Sequence, residues 1–326
     1  MKLRVSVVIP NYNGEKYLKD CLDSLMAQNV HSFEIIVVDD ASTDGALAQA
    51  RKLYPENGEA PRIRYVTHSE NIGFAGTVNE GIALARAPYV ILLNNDTRVE
   101  ADFVETLWKE IRRRDDVFSV SASMRNMQEP GLMDDAGDLF CALGWAFSDA
   151  RDRKASLYDK RREVFSACGG AAIYRKDLLE KLGGFDEKHF AYLEDVDLGY
   201  RAKWAGYRNL YAPDAVVLHA GSASSGSRYN PFKLRLTVRN QLYLLYKNMP
   251  LWQWIVNFPL LLAGWLVKFA YFALKGMGMG YIKAFAEGIS LCAQGKDRRV
   301  DFSAIPFRRQ LAMELGLLIN TLRRFS

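Results

Sequence analysis

The sequence predicts an α/β fold built on a mainly parallel sheet, followed by a helical C-terminal extension that associates with a membrane. Three observations carry this reading. Short apolar runs alternate with stretches of helical spacing from residue 5 to residue 93, the pattern of βαβ units. Polar loops rich in Asn, Asp, Ser and Thr follow those runs. The charge then changes sign along the chain. Residues 1–226 carry 28 Lys+Arg against 34 Asp+Glu (net −6), whereas residues 227–326 carry 15 against 4 (net +11), so the overall +5 hides an acidic front and a basic, apolar back.

Each element has its own signal. Residues 5–9 (VSVVI) form the first predicted strand, closed by Pro10, and Tyr17, Leu18, Cys21, Leu22 and Leu25 then recur at helical spacing. Residues 34–38 (EIIVV) are the second strand, with a helix from about Gly45. Residues 63–66 are the third, residues 75–85 a helix, and residues 89–93 (YVILL) the fourth strand. Such sheets bind ligands beyond the carboxyl ends of their strands, so the loops at 11–13, 39–44 and 94–96 fall on the binding edge. Residues 125–165, polar and charged, read equally as an insertion that shapes an acceptor pocket or as a surface excursion. Helices are predicted near 176–182 and 194–205, and strands around 208–211 and 215–218. The small-residue run at 221–227 marks the end of the first unit, giving domains at 1–225 and 226–326.

Composition excludes several classes. With 49% hydrophobic and 25% charged residues the 326-residue chain is neither disordered nor fibrous. Cys21, Cys141, Cys168 and Cys292 lie far apart with no CxxC, which excludes a disulfide scaffold and a cysteine-rich zinc site and fits a reducing compartment. The first apolar run is too short for a signal peptide, so the site is expected in the cytoplasm. There is no GxGxxG after the first strand, no Walker motif, no GxSxG and no HExxH. This argues against a dinucleotide oxidoreductase, a P-loop phosphotransferase, an elbow-type hydrolase and a zincin.

Three acidic strings carry chemistry. VVDDASTD at 37–44 offers carboxylates that can bond a nucleobase or ribose, or merely cap a helix. LLNNDT at 92–97 places Asp96 at a strand end, where a carboxylate can bind a hard divalent cation or simply serve a turn. LEDVDL at 193–198 puts Glu194, Asp195 and Asp197 at a helix start, where the dipole favours acids for structural reasons alone or keeps a general base ionised, and local sequence does not separate the two. His219, after an apolar run, is either a structural histidine or a second metal ligand.

Seven strings in order resemble family 2 glycosyltransferases of the GT-A fold: VVIPNYNG (7–14), VVDDASTD (37–44), NIGFAG with Asn79, LLNNDT, GGFD (183–186), LEDVDL and His219. The resemblance covers about residues 3–225, and the NIGFAG string with His219 and the Ser-Ser-Gly after it is most similar to the bacterial rhamnosyltransferase-like branch, which builds surface polysaccharides. It implies an inverting, metal-dependent transfer from a nucleoside-diphosphate sugar, dTDP-rhamnose or a UDP-sugar, to a hydroxyl of a glycan or polyprenyl-linked acceptor. By position, Pro10 and Tyr12 would line the nucleobase pocket, Asp40 would bond the base, and Asp39 would assist the ribose or the loop. Asn71 and Gly73 would form the next wall. Asn94, Asn95 and Asp96 stand at the family's DxD-like motif, with two Asn in place of acids, and Asp96 with His219 would hold Mn²⁺ or Mg²⁺. Asp195 would be the catalytic base, with Glu194 and Asp197 on the acceptor side.

The tail adds a partner. Residues 251–274 are long enough to span a bilayer but carry Asn257, Pro259 and Lys268. An interfacial or re-entrant hairpin, a true span, and a buried helix or dimer surface all remain open. Flanking Lys and Arg, and Leu311, Leu315, Leu318 and Leu322 at helical spacing, point to an anionic membrane surface, hence a peripheral or monotopic position on the inner leaflet. An oligomer is compatible with the sequence. A degenerate scaffold, or a nucleic-acid-binding protein using the basic tail, is the alternative; the apolar content of the tail argues against nucleic acid.

Overall fold

The computed structural model describes residues 2–56, 58, 61–221 and 230–325. The predicted alternation is present in order: β1 (Val5–Asn11), α1 (Leu18–Met26), β2 (Phe33–Asp39), α2 (Ala46–Leu53), β3 (Arg62–Thr67), α3 (Gly73–Leu84) and β4 (Tyr89–Leu93). Then come β5 (Thr97–Val99), α4 (Phe103–Ile111), β6 (Val117–Asn126), β7 (Met133–Asp135), β8 (Leu139–Phe140), β9 (Ala146–Phe147), β10 (Arg162–Val164), β11 (Ala171–Arg175), α5 (Lys176–Lys181), α6 (Glu194–Ala205) and β12 (Arg208–His219). Four helices complete the chain: α7 (Pro231–Asn248), α8 (Leu251–Leu274), α9 (Gly278–Gln294) and α10 (Phe307–Arg323).

The main sheet has the order β10-β12-β6-β11-β4-β1-β2-β3, with β5 on β12 and β7 on β6. Strands β3, β2, β1 and β4 pair in parallel, β11 runs antiparallel between β4 and β6, and β6 and β12 are again parallel. The mainly parallel sheet is thus borne out, with β11 reversed within it and β5, β7 and β10 also pairing antiparallel. Side chains alternate across it. Val7, Ile9, Ile35 and Val37 pack on one face against α1, α2 and α4, and Val8, Ile36 and Val38 pack on the other against α3, α5 and α6.

Several elements go beyond the expectations from sequence, among them β6, β11 and α4. β6 (VFSVSASMRN) interleaves buried serines with its apolar residues, and Ser119 is satisfied by bonding Asn209 at 2.8 Å. β11 (AAIYR) is short and alanine-rich. α4 was unassigned although Phe103, Leu107 and Ile111 share its buried face. The two strands expected at 208–211 and 215–218 are one strand, β12, with an irregularity between Ala212 and Val216. The boundary expected at 225/226 lies outside the described residues, as do the serines and glycine at 224–226.

The last four helices are not an appendage. Leu244 and Leu245 of α7, Leu261 of α8, and Met313 and Leu317 of α10 share one cluster with Val196, Tyr200 and Trp204 of α6. α8 is a single helix that runs through Pro259, so no hairpin forms within residues 251–274.

Candidate active site

The loops at the carboxyl edge of the sheet surround a cavity of about 530 Å³. Pro10 and Tyr12, at and just past the end of β1, line it together with Asp40, Asn71 and Gly73. The Asp40 carboxylate accepts from the backbone N–H of Ile72 (2.9 Å) and Gly73 (3.0 Å), and His68 Nδ1 lies 2.9 Å from it. His68 reaches Glu80 with its other nitrogen at 2.6 Å. Burial opposes a charged ring there, but these two carboxylates outweigh it and raise the pKa of His68. Asp40 therefore ties the start of α3 to the sheet while facing the cavity. Gly73 has φ +84°, and a Cβ there would lie 2.5 Å from the Phe190 ring, so glycine answers both a backbone and a packing demand. Asp39 does not line the cavity. It accepts from Asn11 Nδ2 (2.6 Å) and from the hydroxyl and backbone N–H of Ser42, fastening the loop after β2 to β1.

Asn94, Asn95 and Asp96 also line the cavity, as does His219. Sequence separation is bridged by the sheet: β5 pairs antiparallel with β12, setting Thr97 opposite His219, and Ala220 N–H donates to the Asp96 carbonyl at 3.0 Å. This register brings His219 Nε2 to 3.3 Å from Asp96 Oδ1, while Nδ1 meets Asp134 Oδ2 at 2.6 Å. Burial disfavours a charged imidazole, yet the bonds to Asp134 and Asp96 outweigh it and push the pKa up to about 10. With a cation in place of the Nε2 proton the donor set fits a divalent ion: a carboxylate and an imidazole nitrogen side by side, with the second ring nitrogen held by another carboxylate, as at metal-ligating histidines.

Asp195 opens onto the same cavity from the first turn of α6. Its carboxylate accepts from Gly169 N–H (3.0 Å) and Val196 N–H (2.8 Å). Burial raises its pKa against these donors, which favour the charged form. Glu194 beside it is buried, also lines the cavity, and is raised well above the carboxylate range by burial and by the charge of Asp195. Asp197 does not reach the cavity. It is wholly buried and pairs with Arg201 (2.8 Å) and Lys247 (2.9 Å), while Asn248 donates to it at 2.7 Å. Its place is structural: those two cations hold its carboxyl far below the usual range although burial works against the charge.

Sequence reading missed what aims Asp195. The segment before it holds three non-glycine residues at positive φ, Phe190 (65°), Tyr192 (71°) and Leu193 (69°), a conformation costing of order 1–3 kcal/mol each. α7 restrains it. The buried Asn240 amide lies 2.8–2.9 Å from the carbonyls of His189, Ala191 and Tyr192. Arg239 adds bonds to Lys188 and His189 carbonyls. Two turns further, Lys247 joins Asp186 (2.6 Å) to Asp197. Asp186, His189 and Asp197 lie close enough to hold an ion, but the Lys247 and Arg201 side chains already compensate the two acids. Nothing local in residues 231–248 announces this role, since the contacts are long-range. Asp134, Asp135 and Arg151, all within the 125–165 stretch, also line the cavity, which favours the pocket-shaping reading of that stretch over a surface excursion.

Residues 6–183 match glycosyl transferase family 2. The chain is 29% identical over 249 residues to the N-acetylglucosaminyl-diphospho-decaprenol L-rhamnosyltransferase of Mycobacterium tuberculosis, covering 68% of this chain and 77% of that one. Two solved structures share the fold. GalNAc-T7 with UDP, GalNAc and Mn²⁺ superposes with a TM-score of 0.61 at 17% identity over 76% of this chain, which spans about half (48%) of that one. TarS 1–349 of S. aureus with UDP-GlcNAc gives 0.59 at 19% identity over 98% of this chain and 85% of that one.

Proposed function

The chain belongs to glycosyl transferase family 2, and on that premise we propose that it transfers a sugar from a nucleoside diphosphate to a hydroxyl of a lipid-linked glycan acceptor, with inversion, in cell-surface polysaccharide synthesis. The observation that carries this is one cavity onto which both the Asp195 carboxylate and the Asp96–His219 pair open. The mycobacterial relative, a rhamnosyltransferase named for a diphospho-decaprenol acceptor, favours a rhamnose donor and a polyprenyl-linked acceptor. Residues 1–225 act as the transferase unit and residues 226–326 as its brace and membrane-facing part.

The chemistry follows from where the groups stand. The acceptor oxygen forms a bond to the anomeric carbon as the bond from that carbon to the diphosphate oxygen breaks. The acceptor proton passes to Asp195, whose raised pKa makes it a better base than an exposed aspartate. Burial and the charge of Asp195 push the Glu194 carboxyl up, which disfavours a second negative charge next to the base. Tyr12 and Pro10 bound the nucleobase side, and Asn71 and Gly73 continue that wall. Asp96 and His219 would hold Mn²⁺ or Mg²⁺, which when bound would stabilise the charge growing on the leaving diphosphate. The test is a nucleotide-sugar panel, dTDP-rhamnose included, with a polyprenyl-diphosphate N-acetylglucosamine acceptor and nucleoside diphosphate release as readout. Acceptor-dependent release with one donor, absent in Asp195→Asn, is expected. No release with any donor would overturn the assignment.

A further inference from the structure

Two of the C-terminal helices are built inside out. The residues that α8 turns to the protein include Gln253 and Asn257, with Leu261 and Gly264 completing the stripe. Asn257 donates to Glu314 at 3.0 Å, Gln253 to the Gln310 carbonyl at 3.2 Å, and Lys268 to Gln241 at 2.6 Å. The polar residues that seemed to interrupt a spanning segment therefore all point inward. The outward side is apolar, with Leu251, Ile255, Leu262, Leu266 and Leu274 all exposed. α10 repeats the inversion: Gln310, Glu314 and Asn320 are buried, while Leu311, Leu315, Leu318 and Leu322 are exposed. A soluble helix orients the other way, because apolar side chains leave water and polar ones stay in it.

Charge selects what lies outside. α8 contains no acidic residue, and the acid of α10, Glu314, is buried. Exposed cations outnumber exposed acids around these helices: Lys283 on α9, Arg298 and Arg299 before α10, and Arg308 and Arg324 at its ends, against Asp297 and Asp301. Two copies meeting through this face would set like charges together, whereas anionic headgroups over hydrocarbon complement it. Orientation follows from contacts along α8. Its start bonds α10, its middle touches the turn at residues 143–145, where a Cβ on Gly264 would lie 2.5 Å from the Leu143 carbonyl, and Lys268 bonds α7. A helix of about 36 Å lying on the body along its length cannot cross a bilayer unless the body crosses too.

We propose that the outward faces of α8 and α10 form a lipid-docking surface that seats the chain in one leaflet of an anionic bilayer, with α8 along the membrane plane. This stands apart from the donor and acceptor reading and fails separately from it. The test is flotation of the full chain with vesicles of equal parts phosphatidylglycerol and phosphatidylcholine at low salt, against phosphatidylcholine alone. The parent should float with the anionic vesicles. Leu266→Glu combined with Leu315→Glu, at positions 57% and 61% exposed, should keep the parent's melting temperature and lose partitioning by about tenfold or more. A parent that stays at the bottom, or a double variant that floats equally, overturns the proposal. So does a parent that is dimeric in solution and turns monomeric in the double variant, since the face then covers a second copy. For orientation, Ser303→Cys, which lies by the start of α8 through Gln310, and Lys275→Cys at its end should on sealed vesicles both react with an impermeant maleimide added outside, above the label taken by the parent's own cysteines. Protection of one end alone would mean that α8 spans.

Discussion

Lys247→Met removes the ammonium that joins α7 to α6, the helix that carries Asp195. In the parent, Lys247 is 3% exposed and lies 2.6 Å from Asp186 and 2.9 Å from Asp197, which are 4% and 0% exposed. After the change Asp197 keeps Arg201 and Asn248, but Asp186 keeps only the Tyr243 hydroxyl and a backbone N–H. One buried carboxylate is thus left without a counter-charge, a loss of about 3–5 kcal/mol. At roughly 2–4 °C per kcal/mol for a chain of this class, the melting temperature should fall by about 6–20 °C. Adding Asp186→Asn removes the orphaned charge and should recover part of the loss. The pH dependence has a definite sign. Asp186 and Asp197 are both held below their usual range, by Lys247 and by Arg201 with Lys247, against burial. Their contribution is therefore present above the unfolded value near pH 4 and disappears as pH falls through the depressed values. The gap between parent and Lys247→Met should be full at neutral pH and close in strong acid. Melts followed by circular dichroism from neutral to acidic pH measure it. A Lys247→Met protein melting within about 2 °C of the parent at pH 7, less than 1 kcal/mol, would refute the argument that this network fastens the junction.

The other predictions concern turnover. Asp195→Asn should lower kcat by about 10²–10⁴-fold while leaving donor affinity near the parent's, as isothermal titration with nucleoside diphosphate would show. In the parent, activity should fall on acidification at a pH above the ordinary aspartate range, because the base must be ionised and its pKa is raised; an acid limb at or below pH 4 would count against Asp195. Excess EDTA should abolish transfer and Mn²⁺ or Mg²⁺ should restore it; full activity without metal would remove the assigned role of Asp96 and His219. Asn240→Ala deprives the Ala191 and Tyr192 carbonyls of their side-chain donor, while His189 keeps Arg239, and should reduce kcat by about tenfold or more with a smaller change in donor KM, consistent with about 1–3 kcal/mol for an unsatisfied buried group. Equal kcat in that variant would mean the loop holds itself.

Much of the fold was legible because its signals are local. Runs such as YVILL and the helical spacing of Leu18, Cys21, Leu22 and Leu25 need no partner to be read, and the polar loops mark the binding edge by following those runs. Elements without a local signal were missed: β11 earns its place as a strand by pairing with β4 and β6, not by its alanines. The same limit applied to side chains. Adjacent or near-adjacent acids look alike in a string, yet Asp40 and Asp195 face the cavity while Asp39 and Asp197 are consumed by internal bonds.

The sequence by itself determined the α/β alternation, the edge where ligands bind, the family likeness and the basic, apolar character of the tail, since strand and helix periodicity, turn chemistry and charge are properties of neighbours along the chain. The tertiary structure decided the rest. It set His219 beside Asp96 through a strand register, recruited Asn240 and Lys247 to hold the loop and helix of Asp195, and turned Gln253, Asn257 and Glu314 inward. Periodicity shows that a helix has two faces but not which one meets the body. That choice is made by partners dozens of residues away, whose buried polar groups must be satisfied.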